Sequence, residues 1–355
     1  MQVDDIIIGQ GICGTFLSWQ LQKAGRKVLV IDEPAPFSAT KVASGVINPV
    51  TGRQAATTWM AEELLPFTWQ AYEEIGHAIQ QQVIRSCPIH AFPPSVQMRE
   101  SYEHKMNGEP AYVRTIADKQ VQQYNTLFHF FHGAVEISPV WLIDLHTLLK
   151  GWRRQLAGTD ALLEEKFEAA QLQIHQHSVT YKQIQAKKVF FCNGAGSFRH
   201  PLWEKLPYSF NKGEALIADI PALSQDHIYK FGISTLVPWY DGLWWVGSSY
   251  DNRYEDELPS PAFRNKKMME LENLLKCDFS VVDHIASVRP ATVERRPFAG
   301  MHPKYPAVGI LNGMGTKGCS LAPYFAQQLA QQVLNNTPPL PAADINRFAT
   351  TLSLP

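Results

Sequence analysis

The feature that most narrows what this chain can fold into lies near its start, in Asp5-Ile-Ile-Ile-Gly9-Gln-Gly11-Ile-Cys-Gly14, followed by Val28-Leu-Val-Ile-Asp32. Three glycines at this spacing are a weak signal alone, and the context makes them specific. Residues 4–8 read as a short buried strand, a helix runs from Ile12 to Ala24, Gly25 ends it, and Val28 to Ile31 is a second buried strand closed by an acid. That is a β-α-β unit of the dinucleotide-binding type, the seed of a parallel sheet. Gly9 permits a tight turn, Gly11 lets the backbone approach a pyrophosphate, and Gly14 allows the helix to pack closely on the strand. Ile12 and Cys13 open the helix, whose positive end favours an anion, and count among the cofactor-binding candidates. Asp32 is the expected acceptor for an adenosine ribose, with Glu33, one step past the strand end, as second choice.

The remaining chain is long enough for two domains: 355 residues, of which 45% are hydrophobic. A formal net charge of −1 provides no overall positive field, so nucleic acid is not an expected partner. The five cysteines form no C-x-x-C pair, and the 12 histidines include one H-x-x-H, His129-Phe-Phe-His132, but no H-E-x-x-H pattern, so neither a disulfide framework nor a metal site is expected. No signal peptide is visible and no apolar run approaches the roughly 20 residues of a membrane span. A cytoplasmic location is the expectation.

Apolar spacing predicts a helix over 59–85, strands through 88–137, a helix opened by Pro139 and running to about Leu156, and strands over 162–192. Residues 208–250 read as strands, with Tyr240-Asp241-Gly242 as a hairpin turn, and 260–277 as a helix. Gly309 to Asn312 reads as a last buried strand, leading through Gly313, Gly315 and Gly318 into a helix over 321–334. The β-α-β unit alone suits NAD or FAD. A second glycine-rich strand-to-helix turn near the C-terminus favours FAD, because backbone N–H groups there would face the flavin ring, which carries negative charge when reduced.

At these two turns the sequence resembles the amino-acid-oxidising flavoenzymes related to D-amino acid oxidase, glycine oxidase and sarcosine oxidase. Further segments match in order: Ala43-Ser44-Gly45, Phe191-Cys-Asn193-Gly194-Ala195-Gly196, Asn211-Lys-Gly-Glu214, Leu236-Val-Pro238 through Ser249, Ser287-Val-Arg289-Pro-Ala-Thr292 with Arg296-Pro-Phe-Ala-Gly300, and Gly313-Met-Gly-Thr-Lys-Gly318-Cys-Ser-Leu-Ala-Pro323. The resemblance implies an α/β fold: a Rossmann-like FAD-binding domain built from residues 1–75, 138–205 and 285–355, with an inserted α+β substrate domain, an antiparallel sheet, from 76–137 and 206–284. It also implies cofactor contacts at Lys41, Ser44, Gly45, Phe167, Asn193, Gly194, Ala195, Gly313, Gly315, Thr316, Lys317 and Gly318, and a substrate pocket with Trp239, Tyr240 and Tyr250. Two departures stand out. Family members usually carry an acid near Arg295, where this chain reads Val293-Glu-Arg-Arg296. The flavin-linked cysteine that sarcosine oxidases carry near the position of Arg289 is missing, which implies non-covalent FAD.

What the resemblance implies chemically is oxidation of a C–N bond in an amino acid or related amine. A hydride passes to flavin, the imine hydrolyses, and oxygen or another acceptor reoxidises the flavin. No general base is needed if the amine arrives neutral. Arg289 is the best candidate for holding a substrate carboxylate, since a guanidinium offers a two-pronged fork; an ordinary arginine at such a position would instead make an interdomain ion pair. Two rival readings share the family likeness: a flavin domain acting on a modified tRNA base, and a non-catalytic FAD-binding protein.

Overall fold

The computed structural model describes residues 1–108 and 111–353. Its first large sheet has a parallel core in the order Leu162–Leu163, Val28–Ile31, Gln2–Ile8, Ile184–Phe191, Val308–Asn312. Antiparallel strands extend it: Val179–Tyr181 on Ile184–Phe191, then Leu172–Ile174, and Phe298–Met301 on Val308–Asn312. Starting at Gln2–Ile8, the chain steps outward to Val28–Ile31 and Leu162–Leu163, then returns to the opposite side of its first strand. The strand order therefore reverses between Gln2–Ile8 and Ile184–Phe191. A crevice opens at the carboxyl ends of parallel strands at such a reversal, and this is where Gly9, Asn193 and Gly313 lie.

The first strand reads as an unbroken apolar run because both its faces are covered. Ile7 packs with the helices Ile12–Lys23 and Gly318–Asn335, through Phe16, Leu17, Phe325 and Leu329. Ile6 and Ile8 pack on the other face with Phe191, Trp203 and Ile310.

The second large sheet runs Ser280–Arg289, Asn211–Asp219, Trp244–Gly247, Ser234–Pro238, Ile228–Phe231, Ile89–Phe92, Val135–Ile137, Val113–Thr115. It is antiparallel except where Ile228–Phe231 lies beside Ile89–Phe92. Its side chains alternate between two cores, as the period of a strand requires. Ala215, Ile217, Val237, Trp245 and Ile285 join the same core as the cofactor-side helices. Leu216, Leu236, Trp244 and Val246 turn to the other face, with Phe128 and Leu271. A three-stranded sheet, Val46–Ile47, Trp141–Ile143 and Ile84–Ser86, ties the loop after the second strand to the middle of the chain.

Several elements differ from the sequence reading. Pro139 does not open a helix: residues Trp141–Ile143 form a strand, and the helix Leu145–Gly158 begins only where the Asp144 carboxylate accepts the Thr147 N–H at 2.8 Å. The helix expected over 59–85 is Ala61–Ile79, stopped at Gln80 in a left-handed conformation (φ 56°). The segment 88–137 contains two helices, Val96–Met106 and Asp118–Leu127, which its mixed polarity disguised. The ten-residue strand Ser280–Arg289 was not anticipated at all.

The helix Ile12–Lys23 can seat on its strand only because residue 14 lacks a Cβ, which would overlap the carbonyl oxygen of Gly9. Overpacking of this kind costs about 1–3 kcal/mol. Gly14→Ala should lower the free energy of urea unfolding by that amount; an unchanged denaturation midpoint would show that the helix shifts freely.

Candidate cofactor and substrate site

The N-terminal turn is built by exclusion of side chains. Gly9 has φ +94°, and a Cβ there would lie 2.8 Å from the Asn193 Cα on the neighbouring strand end. Above Gly11 the space is open, with only the Thr40 hydroxyl within reach of a Cβ, at 3.3 Å. Thr40 accepts the Ile12 N–H at 3.1 Å, at the positive end of the helix that Ile12 and Cys13 begin. Sequence reasoning missed Thr40. It belongs to the short helix Ala39–Val42, within the stretch from which only Lys41, Ser44 and Gly45 were singled out. Lys41 is exposed and donates from its ammonium to the Ala35 carbonyl. Ser44 is half-buried. Gly45 takes φ +78°, and a Cβ on it would overlap the Ile143 carbonyl, so the loop is held against the three-stranded sheet.

Of the two acids at the end of the second strand, Asp32 turns into the site. Its carboxylate accepts the Gln10 N–H at 2.8 Å and pairs with Arg153 at 2.6 Å, while Glu33 is exposed. Arg153 also reaches Gln10 Oε1 at 3.1 Å and Glu164 at 3.1 Å. Nothing in the spacing around Arg153 marks it. It arrives because the helix Leu145–Gly158 packs alongside the first β-α-β unit.

A third strand end completes the crevice. Asn193 leads into Gly194 (φ +57°), and Gly194 with Ala195 opens a 3-10 turn, Gly194–Arg199. The buried Asn312 donates to the Gly194 carbonyl and to Ser197 Oγ, both at 2.8 Å, and accepts the Gly313 N–H at 2.8 Å. One amide thus sets two adjacent turns, a role the sequence did not reveal. Gly313 has φ +76°, and a Cβ there would lie 2.6 Å from Thr292 Cγ2. Gly315 lies against Ala291, and Gly318 would place a Cβ 3.5 Å from Ile12 Cγ2. The two helix N-termini are therefore neighbours, aimed at one crevice. Thr316 is exposed; Lys317 is half-buried and donates to Asn48 Oδ1 at 2.9 Å. Burial, with the nearby Lys230 charge, brings the Lys317 ammonium down to about 8. Phe167 packs between Tyr181 and Phe191, with ring centroids 5.2 and 5.9 Å away.

These residues fit FAD. The open space above Gly11 suits a pyrophosphate on a helix end, Asp32 retains acceptor capacity for a ribose, and the turn Gly313–Gly318 with Lys317 offers donors and positive charge to a flavin ring. No group of three or more metal-ligating side chains occurs among the described residues.

On the second sheet, Arg289 is held by Asn211 Oδ1 at 2.8 Å and the Ser249 carbonyl at 3.1 Å. Gly213 makes the room, since a Cβ there would overlap the guanidinium. No carboxylate pairs with Arg289 among the described residues, and burial lowers its pKa from the ordinary arginine value. Two polar atoms beside it in sequence and register, Asn211 Nδ2 and Tyr208 Oη, are buried with no hydrogen-bond partner. Tyr250, exposed, follows Ser249 and lies near Arg289. Trp239 and Tyr240 do not join this group. They stand at the opposite end of the hairpin, where the Tyr240 hydroxyl accepts the His146 N–H at 3.0 Å. There they line a cleft of about 240 Å³ with Ser44, Arg85, Ile143, Asp144 and Gln225.

The model of the FAD dependent oxidoreductase family matches residues 4–332. An uncharacterized oxidoreductase of Bacillus subtilis (strain 168), YurR, is 21% identical over 93% of this chain and 94% of its own. The tRNA 5-methylaminomethyl-2-thiouridine biosynthesis bifunctional protein MnmC of Caulobacter sp. (strain K31) is 26% identical over 59% of this chain but only 34% of its own length. Among solved structures, glycine oxidase from Bacillus cereus ATCC 14579 superposes with a TM-score of 0.79 at 17% identity, covering 99% of both chains. No described helix is long and apolar enough to cross a membrane. With a family match that runs through nearly the whole chain, both glycine turns included, the chain belongs to the FAD dependent oxidoreductase family of the D-amino acid oxidase type.

Proposed function

We propose that this protein oxidises the C–N bond of an amino acid or closely related amine, with FAD held non-covalently between the two sheets as hydride acceptor. The observation that carries the reading is Arg289: a largely buried guanidinium, held by Asn211 and Ser249, with no acid to neutralise it among the described residues. Burying an unpaired charge is costly, and an anionic ligand offsets that cost. The first sheet supplies the cofactor crevice, the second the substrate face. When bound, FAD supplies the hydride-accepting chemistry. The chain's own part is to orient: the Arg289 fork fixes the carboxylate in one plane, and Tyr250 lies at the exposed rim. No general base is assigned, because a neutral amine needs none.

The state of the thiols supports non-covalent attachment. Burial pushes Cys13 and Cys319, the cysteines on the two helix starts, up to about 12, so neither supplies a reactive thiolate near neutral pH. Acid precipitation of the purified yellow protein should therefore release intact FAD; flavin that stays with the polypeptide contradicts this. Asp32→Ala should weaken FAD binding tenfold to a hundredfold, roughly the 1.5–3 kcal/mol of hydrogen bonds to a charged acceptor. Unchanged affinity, with a loss in Glu33→Ala instead, would reassign the ribose contact.

Anaerobic mixing with amino acids, N-methyl amino acids and D-isomers tests the reaction itself, read as bleaching of the flavin absorbance. Arg289→Ala should nearly abolish bleaching by carboxylate-bearing amines while FAD content stays near wild type, and Arg289→Lys should keep the charge but orient substrate poorly. Wild-type rates in Arg289→Ala would remove the carboxylate from the substrate; loss of FAD in that variant would make Arg289 a structural residue. The partial match to MnmC favours one second reading, action on a modified tRNA base. A mobility shift with bulk tRNA, absent under our reading, would support it.

A further inference from the structure

Arg289 is not the only uncompensated cation at this site. The pairing of the second sheet brings another to the same face. Arg289 is opposite Asn211, and four residues along that strand Ala215 points the same way. Ala215 pairs with Gly247, Gly247 with Thr235, and Thr235 with Lys230. Directly opposed residues share a face, so Lys230 rises from the face that carries Arg289, Ile217, Val237 and Trp245 toward the cofactor side. Between the two cations the row is small-chained. The Trp245 indole folds over Gly247, and its Nε1 donates to the Val42 carbonyl at 3.0 Å, giving an apolar floor.

Lys230 is half-buried, and no ion pair or side-chain hydrogen bond satisfies its ammonium among the described residues. Lys317 approaches from the cofactor turn, tethered to Asn48, near enough to feel the Lys230 charge. Among the described residues no acid pairs with either lysine. Two neighbouring cations without a counter-ion repel each other and are poorly solvated, so the arrangement is stable with an anion between them and costly without one. Lys317 also faces the proposed flavin position, which leaves Lys230 as the group without a task.

We propose that Lys230, assisted by Lys317, binds a second anionic group on the substrate, so that the substrate is an amino acid carrying an additional carboxylate, with Arg289 at one end, Lys230 toward the other and Trp245 beneath the carbon chain. This assignment rests on the amine-oxidising reading for the word substrate, but the anion subsite is measurable without turnover. Lys230 is then a specificity-determining residue.

Calorimetric titration of the FAD-loaded protein with succinate and glutarate, beside propionate and butyrate, supplies the binding arm. The dicarboxylates should bind at least tenfold more tightly than the monocarboxylates. Lys230→Met, close in shape and without charge, should bring the dicarboxylates down to the monocarboxylate level, whereas Arg289→Lys should weaken both series. In the turnover arm, D- and L-aspartate and glutamate should bleach the flavin at lower concentration than alanine, and Lys230→Met should erase that advantage by raising the concentration required. Equal affinity for the two series in wild type, or a preference that survives in Lys230→Met, overturns the proposal. Slowed reoxidation of reduced flavin by oxygen in Lys230→Met, with the binding preference intact, also overturns it and assigns the lysine to the acceptor half-reaction. If no amine bleaches the flavin but the preference for dicarboxylates depends on Lys230, the oxidation reading fails and the anion subsite stands.

Discussion

The carbonyl oxygen of Gly9 occupies the place a Cβ of residue 14 would need, and the strand end at Asn193 occupies the place a Cβ of residue 9 would need. Three strand ends and two helix starts converge so closely that only bare backbone fits between them. This convergence creates the crevice. It puts the positive ends of the helices Ile12–Lys23 and Gly318–Asn335 side by side, and it leaves open space above Gly11. Asn312 secures the arrangement by bonding to the turns that follow two adjacent strands. A cofactor with a diphosphate and a planar ring meets positive dipole ends at both.

The polar groups around the crevice divide into two kinds. Asp32, Arg153, Gln10 and Asn312 are satisfied within the protein and define the shape of the cofactor side. Among the described residues, Arg289, Lys230 and Lys317 lack an acidic partner, and Asn211 Nδ2 and Tyr208 Oη have no hydrogen-bond partner. The first group fixes the geometry of the cofactor side, with Asp32 keeping acceptor capacity for a ligand. The second represents a cost that folding alone does not explain, and it is concentrated where the second sheet faces the cofactor crevice. Ligand charge is the natural compensation.

What was legible in the sequence was local. The glycine spacing, the two short strands and the closing acid lie within 32 residues, and each follows from nearby backbone requirements. Arg289 was found only through a resemblance, because nothing around it reports that Gly213 would clear its path or that Asn211, 78 positions away, would hold it. Thr40, Arg153, Asn312 and Lys230 were invisible for the same reason: their roles depend on pairing and packing between distant segments. Trp239 and Tyr240 show the converse limit. The hairpin resemblance implies one pocket for both and Tyr250, whereas a hairpin has two ends, and the turn that carries Trp239 and Tyr240 lies at the one far from Ser249. Pro139 misled because proline suits a strand entry as well as a helix start; the Asp144 cap, five residues on, decided where the helix began.

The central claim is that one crevice holds both FAD and the carboxylate of an amine, with Arg289 between the second sheet and the flavin. A crystal structure of the FAD-loaded protein with a bound, non-oxidisable carboxylate tests it most directly. The pyrophosphate is expected over Gly11 and the first helix end, the flavin along Gly313–Gly318, and the carboxylate on the Arg289 fork facing the ring. A carboxylate seated elsewhere, with Arg289 still turned only to Asn211 and Ser249, would contradict it.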